Sequence, residues 1–392
     1  MILVVNPGSS SIKFKLFNEA FEVLVEGLAE RIGIDGALTL ITNEKKHKFN
    51  TEFPDHLAAA ETIIEKLREL NIVKNQNEIK SIGLRVVHGG DKIFEPVIID
   101  SRIKKIIEIN SKLAPLHNPP ALVTIEAFEK TLSHAKLVAC FDTAFHQSIK
   151  PEKFLYPVPY EWYEKNSVRR YGMHGISYAY IVKKFREVKQ LKNNDFNLII
   201  AHLGNGASIT SIKNGKSFNT SMGLTPLDGL MMGTRSGEID PSIIEYISKD
   251  SNMDVIEVTS ILNKDSGLKG ISGISSDMRD ITSVMNENTR AKLAVDMYCQ
   301  RVADFVIKYL NQLEGKIDGL IFTAGIGENS FIIREEIIKK LPMLNIELDS
   351  KSNIEQYDEC LKISTNKSQY EVFKIRTNEE LMICKDVIKL TK

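Results

Sequence analysis

The first fourteen residues of the chain, MILVVNPGSSSIKF (residues 1–14), predict two β-strands joined by a tight turn. Apolar residues 2–5 run directly into an Asn-Pro-Gly turn, and alternation of apolar and basic residues begins at Ile12. A simple hairpin needs only an Asn-Gly pair, whereas this turn carries an asparagine, a glycine and three serines. The excess of small polar groups beside a buried strand indicates a turn that binds a ligand, and a phosphate group is the best match.

A weak internal repeat predicts a duplicated architecture. The segment NLIIAHLGNGASITSIKNGKSF, which starts at Asn197, again has an apolar strand, a glycine turn and an alternating return strand. His202 falls at the position of Asn6, and Gly204 at that of Gly8. Two such hairpins, one in each half of the chain, predict two related domains that face each other across a cleft.

The composition is that of a water-soluble globular protein large enough for two domains. The chain has 392 residues, 43% of them hydrophobic and 26% charged, and its 51 basic residues balance 51 acidic ones. This balance argues against nucleic acid or an anionic membrane as a partner. The four cysteines are too far apart in sequence for a metal knuckle or a redox pair. Without a recognisable signal peptide or membrane span, we expect a cytoplasmic protein.

Strand-like runs alternate with helical patterns, which indicates an α/β fold. The runs ILVV, SIGLRVV, KLVACF, NLII and GLIF predict buried strands, and helical spacing predicts helices over 56–70 and 289–315. Three prolines interrupt the periodicity within 150–165. We therefore expect one domain over 1–149 and a second over 150–379.

A third glycine-rich segment, GLIFTAGIGENSF (residues 319–331), has the order strand, glycine turn, helix. The strand is predicted to end near Thr323, Gly325 and Gly327 to form the turn, and a helix to start at 329–330. Amides at the start of a helix attract anions, so this order fits nucleotide binding. The chain lacks the full dinucleotide fingerprint, a Walker A run and the protein-kinase motif set.

Two arginines occupy unusual settings. Arg85 interrupts the apolar strand SIGLRVVHGG, and period-two alternation places it on the same face as Val87. A guanidinium beside an aliphatic side chain suits a small carboxylate with a short apolar tail, but pairing with a structural acid explains it equally well. Arg235 lies in the glycine-dense loop DGLMMGTRSGEIDPS, where a backbone approaches a ligand easily. The alternative is a surface loop with one solvated arginine.

Polar residues at the ends of elements complete the pattern. Asp142 directly follows the strand KLVACF, where carboxylates often hold a metal or cap a helix. His117 and His174 lie in loops, and Glu379 and Glu380 precede an apolar helix whose start they could simply satisfy. Each feature alone has a structural explanation, but their combination indicates phosphoryl transfer with Mg²⁺.

Six motifs resemble those of acetate kinases, in the order of that family and over essentially the whole chain. They are ILVVNPGSSSIKFKLF, YGMHGIS, AHLGNGAS, MGTRSGEIDP, GISSDMRDI and FTAGIGENS. The resemblance implies the superfamily of acetate and sugar kinases, Hsp70 and actin. Its fold is α/β, with two duplicated ribonuclease H-like (actin-like ATPase) domains, each with a mixed five-stranded sheet, and an interdomain cleft. It also implies that residues 380–392 complete the first domain, that the second carries the nucleotide site, and that the protein is a homodimer.

The family pattern implies catalytic and metal-binding roles for matching residues. Arg85 and Arg235 would hold the acetate carboxylate and the transferring phosphoryl group. His174 would hydrogen-bond that group, and Asp142 would contribute to catalysis through the metal. The metal, Mg²⁺ or Mn²⁺ in its place, would be positioned by Asn6, Asp142 and Glu379.

The family pattern also implies the contacts to both substrates. Those to acetate are expected from Asn6, Arg85, Val87, Leu116, His117, Met173, Pro226 and Arg235. Those to ATP or ADP are expected from Ser10, Lys13, His202, Leu203, Gly204, Asn205, Gly206, Asp277, Met278, Arg279, Gly325, Ile326, Gly327 and Asn329. Departures from the pattern occur at Pro7, Met173, Met278 and Tyr178. Met173 replaces a usual Phe, and because a flexible thioether makes room, propionate is expected as a second substrate.

The expected reaction is the reversible, Mg²⁺-dependent transfer of the γ-phosphoryl group of ATP to acetate, giving acetyl phosphate and ADP. A carboxylic acid has a pKa of roughly 4 and is anionic at neutral pH, so no general base is needed. Placing the metal is therefore the better role for Asp142, and direct in-line transfer without a phosphoenzyme is expected. The alternatives are a propionate or butyrate kinase of the same family, and a nucleotide-gated binding protein like Hsp70 or actin.

Overall fold

The computed structural model describes residues 1–42 and 45–392 and divides the chain into two compact units. The first unit comprises Met1–Gln147, Gly175–Tyr180 and Asn378–Lys392, and the second comprises Ser148–His174 and Ile181–Thr377. Each unit has its own mixed β-sheet. The domain limits drawn from the sequence stay a prediction.

Within the described residues, eight strands form the first sheet and six form the second. The first sheet contains β1 (Ile2–Pro7), β2 (Ser11–Phe17), β3 (Val23–Glu30), β4 (Ala37–Ile41), β5 (Lys46–Asn50), β6 (Ser81–Val86), β7 (Val97–Ile98) and β8 (Lys136–Phe141). The second contains β9 (Leu198–Leu203), β10 (Ala207–Lys213), β11 (Lys216–Thr220), β12 (Gly319–Thr323), β13 (Cys360–Lys362) and β14 (Val372–Ile375).

Helices fill the segments between the strands. They are α1 (His56–Glu69), α2 (Ser101–Ile109), α3 (Asn118–Thr131), α4 (Pro151–Phe154), α5 (Tyr160–Asn166), α6 (Gly175–Val188), α7 (Ser242–Ser251), α8 (Val255–Lys264), α9 (Gly267–Ser272), α10 (Met278–Val284), α11 (Thr289–Gln312), α12 (Ala324–Asn329), α13 (Phe331–Lys339), α14 (Ser350–Ile354) and α15 (Glu379–Thr391). Short 3₁₀ turns occur at Gln76–Glu78, Asn110–Lys112, Ala144–Ser148 and Pro342–Leu344. Among the helices of the described part of the chain, none is long and apolar enough to cross a membrane.

The two sheets share one five-strand order. The first runs β5-β4-β3-β2-β1-β6-β8-β7, and the second runs β11-β10-β9-β12-β14-β13. In both, an antiparallel meander of three strands is continued by two further strands parallel to its first strand. The predicted duplicated α/β fold is confirmed, although the predicted count of five strands per sheet is wrong for the complete sheets. Strands β4 and β7 pair with the two open edges of the common core in the first sheet, and β5 then pairs with β4. In the second sheet, β13 pairs with the open edge of β14.

The first sheet is buried on both faces where the candidate residues lie. In β1, Leu3 and Val5 belong to the core beneath α1, α2 and α3, whereas Ile2 and Val4 pack with side chains of α15. Strands buried on both faces are continuous apolar runs, as the sequence ILVV is. A Cβ added to Gly83 would lie 2.4 Å from Ile383 Cγ2, so glycine at this position lets α15 lie directly on β6.

The predicted helix starts match the structure closely. Helices α1 and α11 begin at the expected residues, and α11 ends three residues before Gly315, whose φ is 73°. The helix expected to start at 329–330 is α13, which begins at Phe331 and is capped by the Ser330 hydroxyl accepting from the amide of Ile333. The glycine turn predicted before it is wrong, because Gly325 and Gly327 lie in an additional short helix, α12, that begins at Ala324.

Candidate active site

Three candidate residues lie at the carboxyl edge of the first sheet, on adjacent parallel strands. Asn6 is next to last in β1, Arg85 is next to last in β6, and Asp142 directly follows β8. The register aligns the ends of these strands, with β6 between the other two. Ligands of α/β sheets bind at this edge, and the strand order brings the three residues to it.

Arg85 forms the centre of a partly buried ion cluster. Its Nε and Nη2 donate to the two oxygens of Asp142 at 3.1 and 2.7 Å, and Nη1 lies 3.7 Å from Glu379 Oε2. The Asp142 side chain is only 2% exposed. Burial lowers the pKa of Arg85, but the charges of Asp142 and Glu379 outweigh it, and the pKa lies above its ordinary value. The guanidinium therefore stays charged and holds both carboxylates.

Glu379 is placed by the start of α15. Asn378 caps this helix, its Oδ1 accepting from the amide of Leu381 at 3.0 Å, and Glu379 is the first helical residue. Burial raises the pKa of the Glu379 carboxyl, Arg85 lowers it, and the Asp142 charge raises it again, so that it lies above its usual value. The N-terminal end of a helix favours a carboxylate, which supports Glu379 in this position.

The charges of this cluster suit a divalent cation. One guanidinium and two carboxylates leave a net negative charge, with the amide of Asn6 at the same edge of the sheet. Mg²⁺ is usually held by one or two carboxylates together with substrate phosphates. Within the described residues, no group of three or more His, Cys, Asp or Glu side chains is arranged to hold a metal ion.

The other predicted residues of the first unit are less enclosed. Ser10 is exposed, and the Lys13 ammonium forms an ion pair with α15 at 3.2 Å, through Glu380. Val87 and His117 are half-buried, and Leu116 is 66% exposed. Lys13 is thus engaged by a carboxylate rather than presented as an unpaired cation.

In the second unit, His174 is held by two neighbours. Its Nδ1 is hydrogen-bonded to the hydroxyl of Ser208 at 2.8 Å, and its ring stacks on His202 with centroids 4.1 Å apart. Ser208 and His202 are buried partners in the β9–β10 register. His174 itself has a φ of 61°, an uncommon value that aims the ring back at this hairpin. These contacts fix Nδ1 and leave Nε2 facing Gly206. A Cβ added to Gly206 would lie 3.6 Å from the Nε2 atom of His174.

Arg235 reaches the same point from its glycine-dense loop. A Cβ added to Gly206 would lie 3.5 Å from Arg235 Nη1, and Nη1 also contacts Met232 Sδ at 3.7 Å. Among the residues that the structure describes, no carboxylate forms an ion pair with Arg235, and burial lowers the pKa of its guanidinium. A half-buried cation without an acidic partner is a site prepared for an anion.

A cavity of about 580 Å³ opens beside the glycine segments of the second unit. This volume is within the usual range for small-molecule sites. The predicted nucleotide contacts that line it are Gly204, Asn205, Asp277, Met278, Arg279, Gly325, Ile326 and Asn329. The predicted contacts His202, Leu203, Gly206 and Gly327 do not line it.

The cavity also has a wall that motif reasoning missed. It consists of Ser276, Thr282, Ser330, Phe331 and Ile332. Ser276 and Ser330 lie within the recognised motifs but were not assigned a contact, whereas Thr282, Phe331 and Ile332 lie just beyond the motif ends, on α10 or at the start of α13. Phe331 and Ile332 add apolar surface suited to a flat ring.

Asp277 and Arg279 are tied to each other at the cavity mouth. Arg279 Nη2 donates to Asp277 Oδ2 at 2.6 Å, and this pair lowers the pKa of Asp277 to about 2. The Arg279 side chain is 90% exposed. Of the predicted acetate contacts in this unit, Met173 is buried and Pro226 is half-buried in a loop of residues 222–229.

Comparisons with known proteins agree with one another. The family model described as the acetokinase family matches residues 1–385. An acetate kinase of Mesoplasma florum is 54% identical over 397 residues, covering all of both chains. A crystal structure of Porphyromonas gingivalis acetate kinase superposes with a TM-score of 0.95 at 38% identity, covering 100% of this chain and 99% of that one. A propionate kinase from Francisella tularensis superposes with a TM-score of 0.93 at 41% identity, covering 99% of each chain.

Proposed function

The chain belongs to the acetokinase family, and we propose that it transfers the γ-phosphoryl group of ATP reversibly to acetate, giving acetyl phosphate and ADP. It is thus a phosphotransferase whose acceptor is a carboxyl group. The observation that carries the proposal is Arg235, a half-buried guanidinium without a carboxylate partner among the described residues, beside His174 and Gly206. Gly206 directly follows Gly204 and Asn205, which line the cavity, so a nucleotide there would extend its phosphates toward Arg235.

The mechanism that we propose is positioning and charge neutralisation. Acetate is already anionic, so the protein has no proton to remove and must instead overcome repulsion between two anions. Arg235 and the Nε2 atom of His174 would hold the phosphoryl oxygens as their charge develops. Such donors are more effective in a partly buried site than in water because the local dielectric constant is lower.

Asn6, Asp142 and Glu379 fit a divalent cation, which we take to be Mg²⁺. When bound, it would neutralise part of the charge on the nucleotide phosphates. Arg85 fixes Asp142 in place through two hydrogen bonds, and its remaining N–H donors would contact the acetate carboxylate. Because no residue has to act as a covalent relay, transfer of a chiral γ-phosphoryl group should invert its configuration, whereas retention would indicate a phosphoenzyme.

The test of the proposed activity is acyl phosphate formation, measured as hydroxamate, from Mg²⁺, ATP and each of acetate, propionate and butyrate. We expect turnover that requires both the acid and the metal, with acetate the best acceptor. A best rate with propionate or butyrate would reassign the substrate. ADP release at the same rate with and without the carboxylic acid would instead indicate an Hsp70-like or actin-like nucleotide switch.

Ser208→Ala should lower kcat about 10-fold with little change in KM for ATP, because Nδ1 of His174 then loses the partner that sets its tautomer and orientation. Steady-state kinetics measure both constants. The matched control is Ser211→Ala, which removes an equally buried hydroxyl from the opposite face of β10. Equal kcat values for the two variants would contradict the role assigned to His174.

Met173→Phe should lower kcat/KM for propionate relative to acetate by about 10-fold, because a rigid ring removes space that the flexible thioether leaves. Competition between the two acids measures this ratio directly. Met343→Phe, at a methionine that is 81% exposed, is the control and should leave the ratio unchanged. An unchanged ratio in Met173→Phe would exclude Met173 from the acid pocket.

A homodimer in the cytoplasm is part of the same proposal and rests on the family resemblance. Helices α7 and α8 are compatible with it, since they expose the large apolar side chains of Tyr246, Val255 and Ile256. Sedimentation equilibrium of the intact protein tests it, and a monomer at micromolar concentration would reject it.

A further inference from the structure

The backbone enters α12 in a strained conformation. Ala324, the first residue after β12, has a φ of 64°, a left-handed value that costs a non-glycine residue energy. It directly precedes Gly325 and Ile326, which line the cavity. The shape of the cavity wall therefore depends on whatever keeps Ala324 in this conformation.

The carboxylate of Glu328 supplies that restraint. Its Oε1 accepts from the amide of Ala324 at 2.8 Å, and also from the amide of Thr377 at 2.9 Å and the hydroxyl of Thr323 at 3.3 Å. Two backbone amides and one side-chain hydroxyl thus donate to a single oxygen, which links the start of α12 to the distant residue Thr377. Charge-assisted bonds of this kind are about twice as strong as neutral ones.

The other end of α12 is clamped by a buried cation. Arg334 Nη1 donates to the carbonyl oxygens of Gly327 and Glu328 at 2.7 and 3.0 Å, and its Nε donates to Asn353 Oδ1 at 2.8 Å. The Arg334 side chain is fully buried. Since both ends of this six-residue helix are held by side chains, its position is set by tertiary contacts rather than by helix propensity.

We propose that Glu328 is a positioning residue for the nucleotide: by holding the amide of Ala324, it sets the backbone of Gly325 and Ile326 that faces the cavity. The inference deepens the proposed function and rests on it, because it assumes that this cavity binds ATP. Glu328 itself does not line the cavity, so it acts through the backbone and not by contact. The hydrogen bond from the Thr377 amide also links the Glu328 carboxylate to the segment that follows β14.

The first test compares Glu328→Ala with Glu328→Gln. Glu328→Ala should raise KM for ATP on the order of 10-fold or more, because two backbone amides lose their acceptor, while KM for acetate changes less than about 2-fold. Glu328→Gln keeps the acceptor oxygen and should stay within about 3-fold of the parent. Glu335→Ala, at an exposed position of α13, is the matched control and should match the parent.

The second test uses the backbone itself. Ala324→Gly adopts a φ of 64° without strain, so adding it to Glu328→Ala should recover at least about 3-fold of the lost ATP affinity. ADP binding by calorimetry measures this affinity even where turnover is low, and thermal unfolding reports whether each variant is folded. Equal increases in both KM values, or no recovery in the double variant, would overturn the inference. Loss of acid-dependent turnover in the parent protein would instead reject the proposed function.

Discussion

Arg85→Ala is expected to lower kcat on the order of 10²- to 10³-fold, the loss typical for one fixed electrostatic donor. In the structure, Arg85 holds Asp142 through two hydrogen bonds and lies 3.7 Å from Glu379. Its removal would leave two carboxylates facing each other without their cation. Both the proposed metal ligands and the contact to acetate would then be disturbed together, and steady-state kinetics measure the loss.

The same substitution should change stability and pH dependence. A carboxylate as buried as Asp142 loses its counter-charge, so the free energy of unfolding should fall by about 3 kcal/mol in urea denaturation. Arg85 also lowers the pKa of Glu379, and without it that pKa should rise further. A larger fraction of Glu379 is then protonated at any given pH on the acidic side, so the acidic limb of the kcat/KM profile should move to higher pH.

Two further variants separate the charge of Arg85 from its geometry. Arg85→Lys keeps the positive charge but loses the planar guanidinium that binds a carboxylate through two hydrogen bonds. Compared with Arg85→Ala, it should recover part of the stability and little of the activity. Arg31→Ala removes an exposed arginine of the same unit and should be neutral in both measurements. If Arg85→Ala folded normally and turned over at the parent rate, the role assigned to the whole ion cluster would be wrong.

Arg235→Ala is expected to lower kcat by a similar factor, on the order of 10²–10³, but without a loss of stability. The reason is that no carboxylate among the described residues is paired with Arg235, so its removal leaves no buried charge behind. A half-buried cation without a partner is itself unfavourable, and the variant should unfold at the same temperature as the parent or above it. Activity and stability would thus respond in opposite ways, as is common at functional sites.

Kinetics and calorimetry of the same preparation test this contrast. Arg235→Lys should retain some activity, since the positive charge remains although the two-pronged hydrogen-bonding geometry of the guanidinium is lost. Arg186→Ala, in the same unit and hydrogen-bonded at the surface to Asn194, is the control and should match the parent. Turnover near the parent rate in a folded Arg235→Ala protein would remove the observation on which the proposed function depends.

Much of the fold was predictable because its signals are local. The apolar run of β1, the repeat at Asn197 and the helical spacing of α1 and α11 concern neighbouring residues, and the structure bears them out. The motifs around Asn6, His202 and Gly325 likewise identified the family before any coordinates. The added edge strands were missed, because pairing at an open edge depends on residues distant in sequence. Helix α12 was missed because Glu328, which holds the amide of Ala324, is itself bonded to the distant residue Thr377.

The sequence by itself determined the α/β class, the duplicated hairpins, the family and the list of candidate site residues, since these follow from local pattern and motif. Only the tertiary structure decided how those residues are paired. It gives Arg85 two carboxylate neighbours, leaves Arg235 without one among the described residues, and ties Glu328 to the amides of Ala324 and Thr377. The physical reason is that an ion pair or a shared hydrogen bond depends on distance, burial and orientation, which folding sets between segments far apart in the chain.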